Sequence, residues 1–229
     1  MTVRWLNILI LAMTASASLS IEAQEARYMW DFGASLGMSG YHGDANDGFF
    51  FRRPGMHADL FARYNFNARW SARVQAGISQ LRGNTSDMDN ALPDGNNYSF
   101  RSTLADIQAR GEFNFFPYGI GETYKRLRRW TPYIGMGIGV ALSSVDSRSF
   151  AAFTLPMALG VRFKPSERIN LGMELTMTKA FADNIDGKPL SDPYGIKSSF
   201  LKNTDWYSAL SLSISYEFGE RCETCHRID

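Results

Sequence analysis

The chain has 229 residues, a formal net charge of +1 and a mean hydropathy of −0.24. Its length after export is that of one domain. A charge near zero gives no general attraction to nucleic acid, so we expect no nucleic-acid partner. Beyond the N-terminus no segment approaches the ~18 consecutive apolar residues that a transmembrane helix needs, which excludes a helical membrane protein.

Residues 1–23 are predicted to be a secretory signal peptide. Arg4 gives a basic start, residues 6–13 form an apolar core too short to span a membrane, and small residues follow. Cleavage is possible after Ala17 or after Ala23, and we favour Ala23. No cysteine lies near this junction, so we do not expect a lipid-anchored N-terminus.

About eight later segments alternate apolar residues with polar or small ones. This period of two is that of a β-strand, in which successive side chains point to opposite faces. In the last segment Leu212 and Ile214 fall on one face, and Ser213 and Ser215 on the other. Each segment is close to the ~9–11 residues with which a tilted strand crosses a bilayer. The predicted strands are residues 30–41, 56–66, 70–79, 105–115, 133–142, 153–163, 169–178 and 204–218.

These segments predict an all-β fold, a single eight-stranded antiparallel transmembrane β-barrel of outer-membrane type. The barrel would occupy residues 24–218, with both termini in the periplasm and a periplasmic tail at residues 219–229. Aromatic residues then cluster at both strand ends, as expected for the two membrane interfaces. The inner cluster is Trp30, Tyr64, Phe66, Trp70, Phe113, Phe115, Trp130, Tyr133, Phe163, Tyr216 and Phe218; the outer one is Tyr41, Phe49, Phe50, Phe51, Phe100, Phe150, Phe153, Phe181 and Trp206.

The connections follow the rule that inner turns are short and outer loops long. The inner turns are predicted at 67–69 and 164–167, and the outer loops at 42–55, 80–104, 143–152 and 179–205. The inner loop at 117–130 is an exception, because it is long.

This inner loop carries the most concentrated basic run of the chain. The run is Lys125, Arg126, Arg128, Arg129 and Trp130. One interpretation is a solvated turn beside lipid phosphates. The other is a docking surface for a periplasmic partner, because charges at the rim of an interface steer and orient association.

Charged residues on the inward faces predict a closed lumen. They are Asp31, His57, Asp59, Arg63, Arg73, Asp106, Arg110, Glu112, Arg162, Glu174 and Glu217. Eight strands enclose a lumen that side chains just fill, so these mixed signs predict a plug of salt bridges rather than a pore or an active site. Gly135, Gly137 and Gly139 alternate on one face and give space inside a narrow barrel.

A catalytic site at the outer rim is the alternative that we weigh for His42, Asp44, Asp47, Asp87 and Asp89. General base catalysis needs a histidine, an orienting carboxylate and a nucleophile or water within reach. Outer loops are rich in aspartate for solubility in any case. We therefore expect no enzymatic activity, no small-molecule substrate, and neither a metal nor a cofactor.

The tail contains Cys222 and Cys225, followed by His226, in the C-x-x-C-H pattern of haem c attachment. Covalent haem also needs an apolar envelope, and only four residues follow Cys225. A local metal site is a further possibility. We favour a disulfide, internal or to a partner, because exported proteins meet an oxidising compartment.

Five segments give the chain a resemblance to a known family. They are Tyr41-His42-Gly43-Asp44, TPYIGMGIG, PMALGVRFKPSERINLGMEL, TKAFADNIDG and DWYSALSLSISYEF, in this order. The chain resembles the PorG family of outer-membrane barrels of the type IX secretion system in Bacteroidetes, over most of its mature length. The resemblance implies a non-enzymatic protein in the outer membrane of a Gram-negative bacterium, associated with a periplasmic ring of the lipoprotein PorK and its partner PorN.

Position in the predicted topology indicates which residues would face that ring. These are Lys125, Arg126, Arg128, Arg129, Trp130, Arg221 and His226. The alternative function is a stand-alone barrel in the outer-membrane lipid that acts through its extracellular loops, in adhesion or surface protection.

Overall fold

The computed structural model describes residues 28–42, 54–84, 99–121, 126–145, 148–181 and 206–220. These residues form a closed barrel of antiparallel strands that pair in chain order. The strands are β1 (Tyr28–His42), β2 (Gly55–Asn65), β3 (Trp70–Asn84), β4 (Ser99–Asn114), β5 (Trp130–Val145), β6 (Arg148–Phe163), β7 (Ile169–Ala180) and β8 (Trp206–Glu220). The predicted eight-stranded barrel is confirmed, while the predicted signal peptide lies outside the described residues.

Barrel closure depends on the pairing of the first and last strands. β1 and β8 are in continuous register from Tyr28 opposite Glu220 to His42 opposite Trp206. This pairing removes the free sheet edges that an open sheet would expose in a membrane. β8 runs two residues beyond Phe218, the predicted end of the barrel. The described residues contain no helix with the length and hydrophobicity of a membrane crossing.

The two faces of the strands have opposite chemistry. Leu60 is 68% exposed and Leu212 66% exposed, and every strand carries large apolar side chains on this outer surface. All eleven inward charges predicted from the sequence are buried. A soluble monomer rarely exposes an apolar patch of more than a few hundred Å². An apolar surface that surrounds the whole barrel is satisfied by lipid, so the strands span a membrane.

The two ends of the barrel differ in their connections. We call the end with Tyr28 and Glu220 the inner end; its connections are residues 66–69, 115–129 and 164–168. The first of these is a tight turn in which the side-chain oxygen of Asn67 accepts hydrogen bonds from the backbone N–H groups of Arg69 and Trp70, both at 2.8 Å. The opposite end is the outer end.

One predicted outer loop is wrong. Ser144 pairs with Ser149 and Val145 with Arg148, so only residues 146 and 147 separate β5 from β6. The predicted loop at 143–152 is therefore mostly strand. β3 and β4 also continue into their predicted loop, as far as the pair Asn84 and Ser99. A strand that projects beyond the lipid no longer needs an apolar face, so the alternation that identifies it disappears.

The inner aromatic belt is confirmed with one correction. Trp30, Phe66, Trp70, Phe115, Trp130, Phe163, Tyr216 and Phe218 are exposed on the outer surface, and Tyr64 and Phe113 are half-buried. Tyr133 is 1% exposed and points into the lumen. It lies an odd number of residues from Trp130, which places the two side chains on opposite faces of β5.

The outer belt is described only in part. Phe153 is exposed, and its ring centre lies 5.9 Å from that of Phe181. Lys179 lies between two rings, with its ammonium nitrogen 5.7 Å from the centre of Phe181 and 5.5 Å from that of Trp206. Phe49, Phe50 and Phe51, and the side chains of Tyr41, Phe100 and Phe150, lie outside the described part of the chain.

Candidate functional site

Two glutamates organise the centre of the lumen. The Glu112 carboxylate accepts hydrogen bonds from Nε of Arg63 at 2.8 Å and Nε of Arg110 at 3.1 Å, and also from Arg162. Such charge-assisted bonds are the strong class of hydrogen bond. Glu112 therefore ties β2 and β6 to β4.

Glu174 plays the same part on β7. It accepts from Nη1 of Arg73 at 3.2 Å, from Nη2 of Arg110 at 2.6 Å and from the hydroxyl of Tyr133. Arg110 is thus shared between the two glutamates. The predicted plug of salt bridges is confirmed, and it crosses the barrel from β3 and β4 to β7.

Aromatic rings fill the space between the guanidinium groups, a feature that the pattern of inward charges does not predict. The guanidinium carbon of Arg73 lies 3.8 Å from the ring centre of Phe61, and that of Arg162 lies 3.9 Å from the ring centre of Tyr133. Gly33 makes room for Phe61, because a β-carbon there would lie 2.5 Å from its Cζ atom. The centre of the lumen is therefore packed with planar groups. Such packing is typical of a closed lumen and not of a water-filled channel.

A second polar group occupies the outer half of the lumen. Nδ1 of His57 lies 2.8 Å from the Ser79 hydroxyl, and Nε2 lies 3.0 Å from a carboxylate oxygen of Asp59. The order of serine, histidine and aspartate resembles that of a catalytic triad. Ser79, however, is 0% exposed, and Asp59 is also bound by Arg73 at 3.1 Å. A nucleophile must be reached by its substrate, so this group is part of the plug.

The long inner loop closes the inner mouth of the barrel. The hydroxyl of Tyr118 donates a hydrogen bond to Oδ1 of Asn170 on β7 at 2.7 Å, and its backbone N–H donates to the carbonyl oxygen of Ala68 at 3.0 Å. The Lys164 ammonium lies 5.4 Å from the Tyr118 ring centre and forms a salt bridge with Glu217. Burial raises the pKa of the Tyr118 hydroxyl, which therefore stays a hydrogen-bond donor.

Backbone contacts hold the two ends of this loop together. The N–H of Gly119 donates to the carbonyl oxygen of Arg128 at 3.0 Å, and the N–H of Arg128 donates to that of Pro117 at 2.8 Å. The Thr131 hydroxyl also accepts from the N–H of Phe116 at 3.0 Å. These bonds stabilise the loop as a folded surface at the inner end.

The basic run lies on the outside of this surface. Arg126, Arg128 and Arg129 are exposed, and Trp130 begins β5. The guanidinium carbon of Arg128 lies 4.4 Å from the ring centre of Phe116, which packs edge-on against Trp130 at 5.1 Å. Within the described part of the chain, these three arginines form no salt bridge.

The other candidate residues lie outside the described part. These are Lys125, Arg221, Cys222, Cys225 and His226, together with Asp44, Asp47, Asp87, Asp89 and the side chain of His42. Among the described residues, no group of three or more His, Cys, Asp or Glu is arranged to hold a metal ion. The disulfide, haem and rim-site interpretations therefore stay predictions.

Comparison with known proteins agrees with this architecture. The sequence profile of a family described as a domain of unknown function, DUF6089, matches residues 5–227. No curated protein sequence matches the chain. The crystal structure of Neisserial surface protein A is similar, with a TM-score of 0.52 and 14% identity over 82% of this chain and 97% of that one. The outer membrane protein OprG from Pseudomonas aeruginosa matches with a TM-score of 0.48 and 13% identity over 85% and 99% of the two chains. The first likeness shows that the fold is that of an outer-membrane β-barrel.

Proposed function

The chain belongs to the DUF6089 family, defined by a domain of unknown function, and from its site we propose that it is a non-enzymatic outer-membrane protein that anchors a periplasmic assembly. The barrel supplies the membrane attachment, and the inner loop supplies the docking surface. The observation that carries this proposal is the pair of exposed arginines, Arg126 and Arg128, on a loop that hydrogen bonds hold folded across a sealed mouth.

The sealed lumen supports anchoring over transport through the barrel. The plug of Glu112, Glu174 and their arginines leaves the two ends of the lumen separated by buried ion pairs. Removing one partner of a buried ion pair costs ~3–5 kcal/mol, so separating the ion pairs of this plug requires a large free energy. The surfaces available for function are then the two ends of the barrel.

The charge on the inner loop indicates the chemistry of the partner. Exposed guanidinium groups that form no salt bridge with the described residues can orient an approaching acidic surface and form bidentate bonds with carboxylates. Arg128 is held in place by Phe116, which reduces the side-chain entropy lost on binding. We therefore expect an acidic patch on the partner.

The specific assembly follows from the resemblance to the PorG family. On this basis we propose that the protein is exported by its signal peptide to the outer membrane of a Bacteroidetes species. There it would associate with the PorK and PorN ring of the type IX secretion system. Arg126 and Arg128 would face that ring, together with Lys125, Arg221 and His226.

Co-purification tests this proposal. The double variant R126E/R128E is expected to lose ring components from gentle-detergent pull-downs, while R126K/R128K, which keeps both charges, retains them. The shift of the folded barrel on unheated gels shows that both variants fold. Equal recovery of ring components with both variants contradicts the docking role of the loop.

The stand-alone barrel remains the second candidate because the outer connections 43–54, 85–98 and 181–205 are long. Loops positioned by a rigid scaffold often carry function. Deleting residues 86–96 abolishes function if the outer loops act alone in adhesion or surface protection. The same deletion leaves recovery of ring components unchanged if the inner loop is the functional surface.

A further inference from the structure

Each inner connection ends with the same two-residue pattern. An arginine is followed directly by the first residue of a strand: Arg69 by Trp70, Arg129 by Trp130, and Arg168 by Ile169. Trp70 is 45%, Trp130 47% and Ile169 37% exposed on the outer surface, within the inner aromatic belt. The three arginines, which we call the arginine ring, therefore border the belt at the starts of β3, β5 and β7.

The backbone places these arginines at equivalent positions. The carbonyl oxygen of Arg69 accepts a hydrogen bond from the N–H of Asn114, that of Arg129 from Lys164, and that of Arg168 from Glu217, each at 2.7 Å. In every case the donor lies at the inner end of a neighbouring strand or directly after it. The same bond repeated three times fixes the three arginines against the sheet, one residue from the apolar belt.

The side chains keep donors free. Nη1 of Arg69 donates to the carbonyl oxygen of Phe115 at 3.2 Å, and Arg168 donates to the hydroxyls of Tyr216 at 3.1 Å and Tyr28 at 3.4 Å. A guanidinium has about five N–H donors, so the contacts with described residues occupy only a minority of them. None of the three arginines forms a salt bridge with a carboxylate of the described residues.

We propose that the arginine ring binds the phosphate groups of lipids in the inner leaflet. Trp and Tyr rings mark the level of the lipid headgroups, and long basic side chains beside them reach the same level. Arg168 donates to Tyr216, whose ring lies on the lipid-facing surface. An anion at this level is a lipid phosphate, and the fork of a guanidinium matches its oxygens.

Arg126 and Arg128 provide a comparison within the same end of the barrel. Arg126 lies three residues before the end of the inner loop, with a backbone φ of 46°, and Arg128 stacks on Phe116. Neither precedes a residue of the lipid-facing belt. The arginine ring is therefore assigned to lipid and these two residues to the partner, which makes the two surfaces separable by mutation.

Native mass spectrometry of the refolded full chain in detergent tests this inference. The protein is titrated with phosphatidylglycerol and, separately, with diacylglycerol of the same acyl chains, which lacks phosphate. A basic residue near a membrane surface contributes about a fivefold gain in affinity for anionic lipid, so R69Q/R168Q is expected to bind phosphatidylglycerol roughly 10- to 30-fold more weakly. Its binding of diacylglycerol is expected to stay unchanged.

The matched control is R126Q/R128Q, which removes the same charge from the same end of the barrel. It is expected to bind phosphatidylglycerol like the wild type. An equal loss in both double variants, or no loss in R69Q/R168Q, overturns the inference. If R69Q/R168Q fails to fold, R129Q answers the question, because the side chain of Arg129 forms no hydrogen bond or salt bridge with the described residues. R129Q is expected to show roughly a fivefold loss, and unchanged binding overturns the inference. No partner protein is present in this experiment, so its outcome is independent of the docking proposal.

Discussion

Tyr118 and Asn170 lie on opposite sides of the inner mouth, and a hydrogen bond of 2.7 Å from the tyrosine hydroxyl to Oδ1 joins them. This contact ties the longest inner connection to β7. It makes the inner loop part of the barrel rather than a segment that extends freely from it. A docking surface gains from such rigidity, because less entropy is lost when a partner binds.

Removing this hydroxyl is expected to loosen the loop. Tyr118→Phe leaves the Asn170 oxygen without its donor, which costs on the order of 1 kcal/mol locally. Trypsin should then cleave after Arg126, Arg128 or Arg129 about fivefold faster. The control is Tyr64→Phe, which removes a hydroxyl from the outer surface and should leave the cleavage rate unchanged. A cleavage rate equal to that of the wild type in Tyr118→Phe contradicts the assigned contact.

Neutralising Glu112 is expected to destabilise the whole barrel. Glu112→Gln leaves Arg63, Arg110 and Arg162 with less compensating charge, at a cost of about 3–5 kcal/mol. The free energy of unfolding is measured by urea titration of the refolded protein in lipid vesicles. Glu167→Gln, at an exposed position in an inner turn, changes the same charge and should alter stability by less than ~1 kcal/mol. Similar losses in the two variants are incompatible with the central role of Glu112.

The packed lumen predicts that the protein does not conduct ions. In planar bilayers the wild-type barrel should show no conductance steps, because guanidinium groups stacked on aromatic rings occupy the centre of the lumen. The double variant F61A/R73A removes two stacked groups from one layer and should produce small steps. Steady conductance of the wild type at the level of the double variant disproves the seal.

Two glycines on adjacent strands form a matched pair for testing strand packing. A β-carbon at Gly137 would lie 2.0 Å from the carbonyl oxygen of Ala109, whereas one at Gly111 would have no atom within 4 Å. Gly137→Ala should therefore lose more than the ~1–3 kcal/mol of ordinary overpacking and reduce the folded fraction on unheated gels. Gly111→Ala should fold like the wild type. The prediction fails if the two variants fold equally well.

Much of the barrel could be predicted from local alternation. The predicted inward orientation of Arg63, Arg110 and Glu174 is confirmed, because a period of two assigns each residue of a strand to one face. The position of Tyr133 near a strand end predicts a place in the aromatic belt, and this prediction is wrong because the parity of Tyr133 in β5 places its side chain inside the lumen. An apolar residue such as Phe61 carries no sequence signal for a place in a polar lumen, and only its stacking on Arg73 explains why it lies there.

The remaining differences depend on contacts between distant parts of the chain. The pairing of residues 143–145 with 148–150 is fixed by their neighbours in the sheet and not by an apolar pattern. The closure of the inner mouth depends on Tyr118 reaching Asn170, which are 52 positions apart. The equivalence of Arg69, Arg129 and Arg168 depends on the hydrogen bond that each of their carbonyl oxygens accepts from a neighbouring strand or the residue after it, and this pairing has no signal in the sequence.

The cross-barrel bond between Arg73 and Glu174 has a consequence for biogenesis, since these residues are 101 positions apart. Arg73 and Arg110 enter early in the chain, yet one of their main counter-charges arrives only with the penultimate strand. In a half-inserted sheet Arg73 and Arg110 would keep Asp59 and Glu112 but lack the Glu174 carboxylate that they share, so their charges would be less fully compensated near hydrocarbon, a costly state. Insertion of this chain is thereby coupled to completion of the ring of strands, and partly assembled forms are disfavoured in the bilayer.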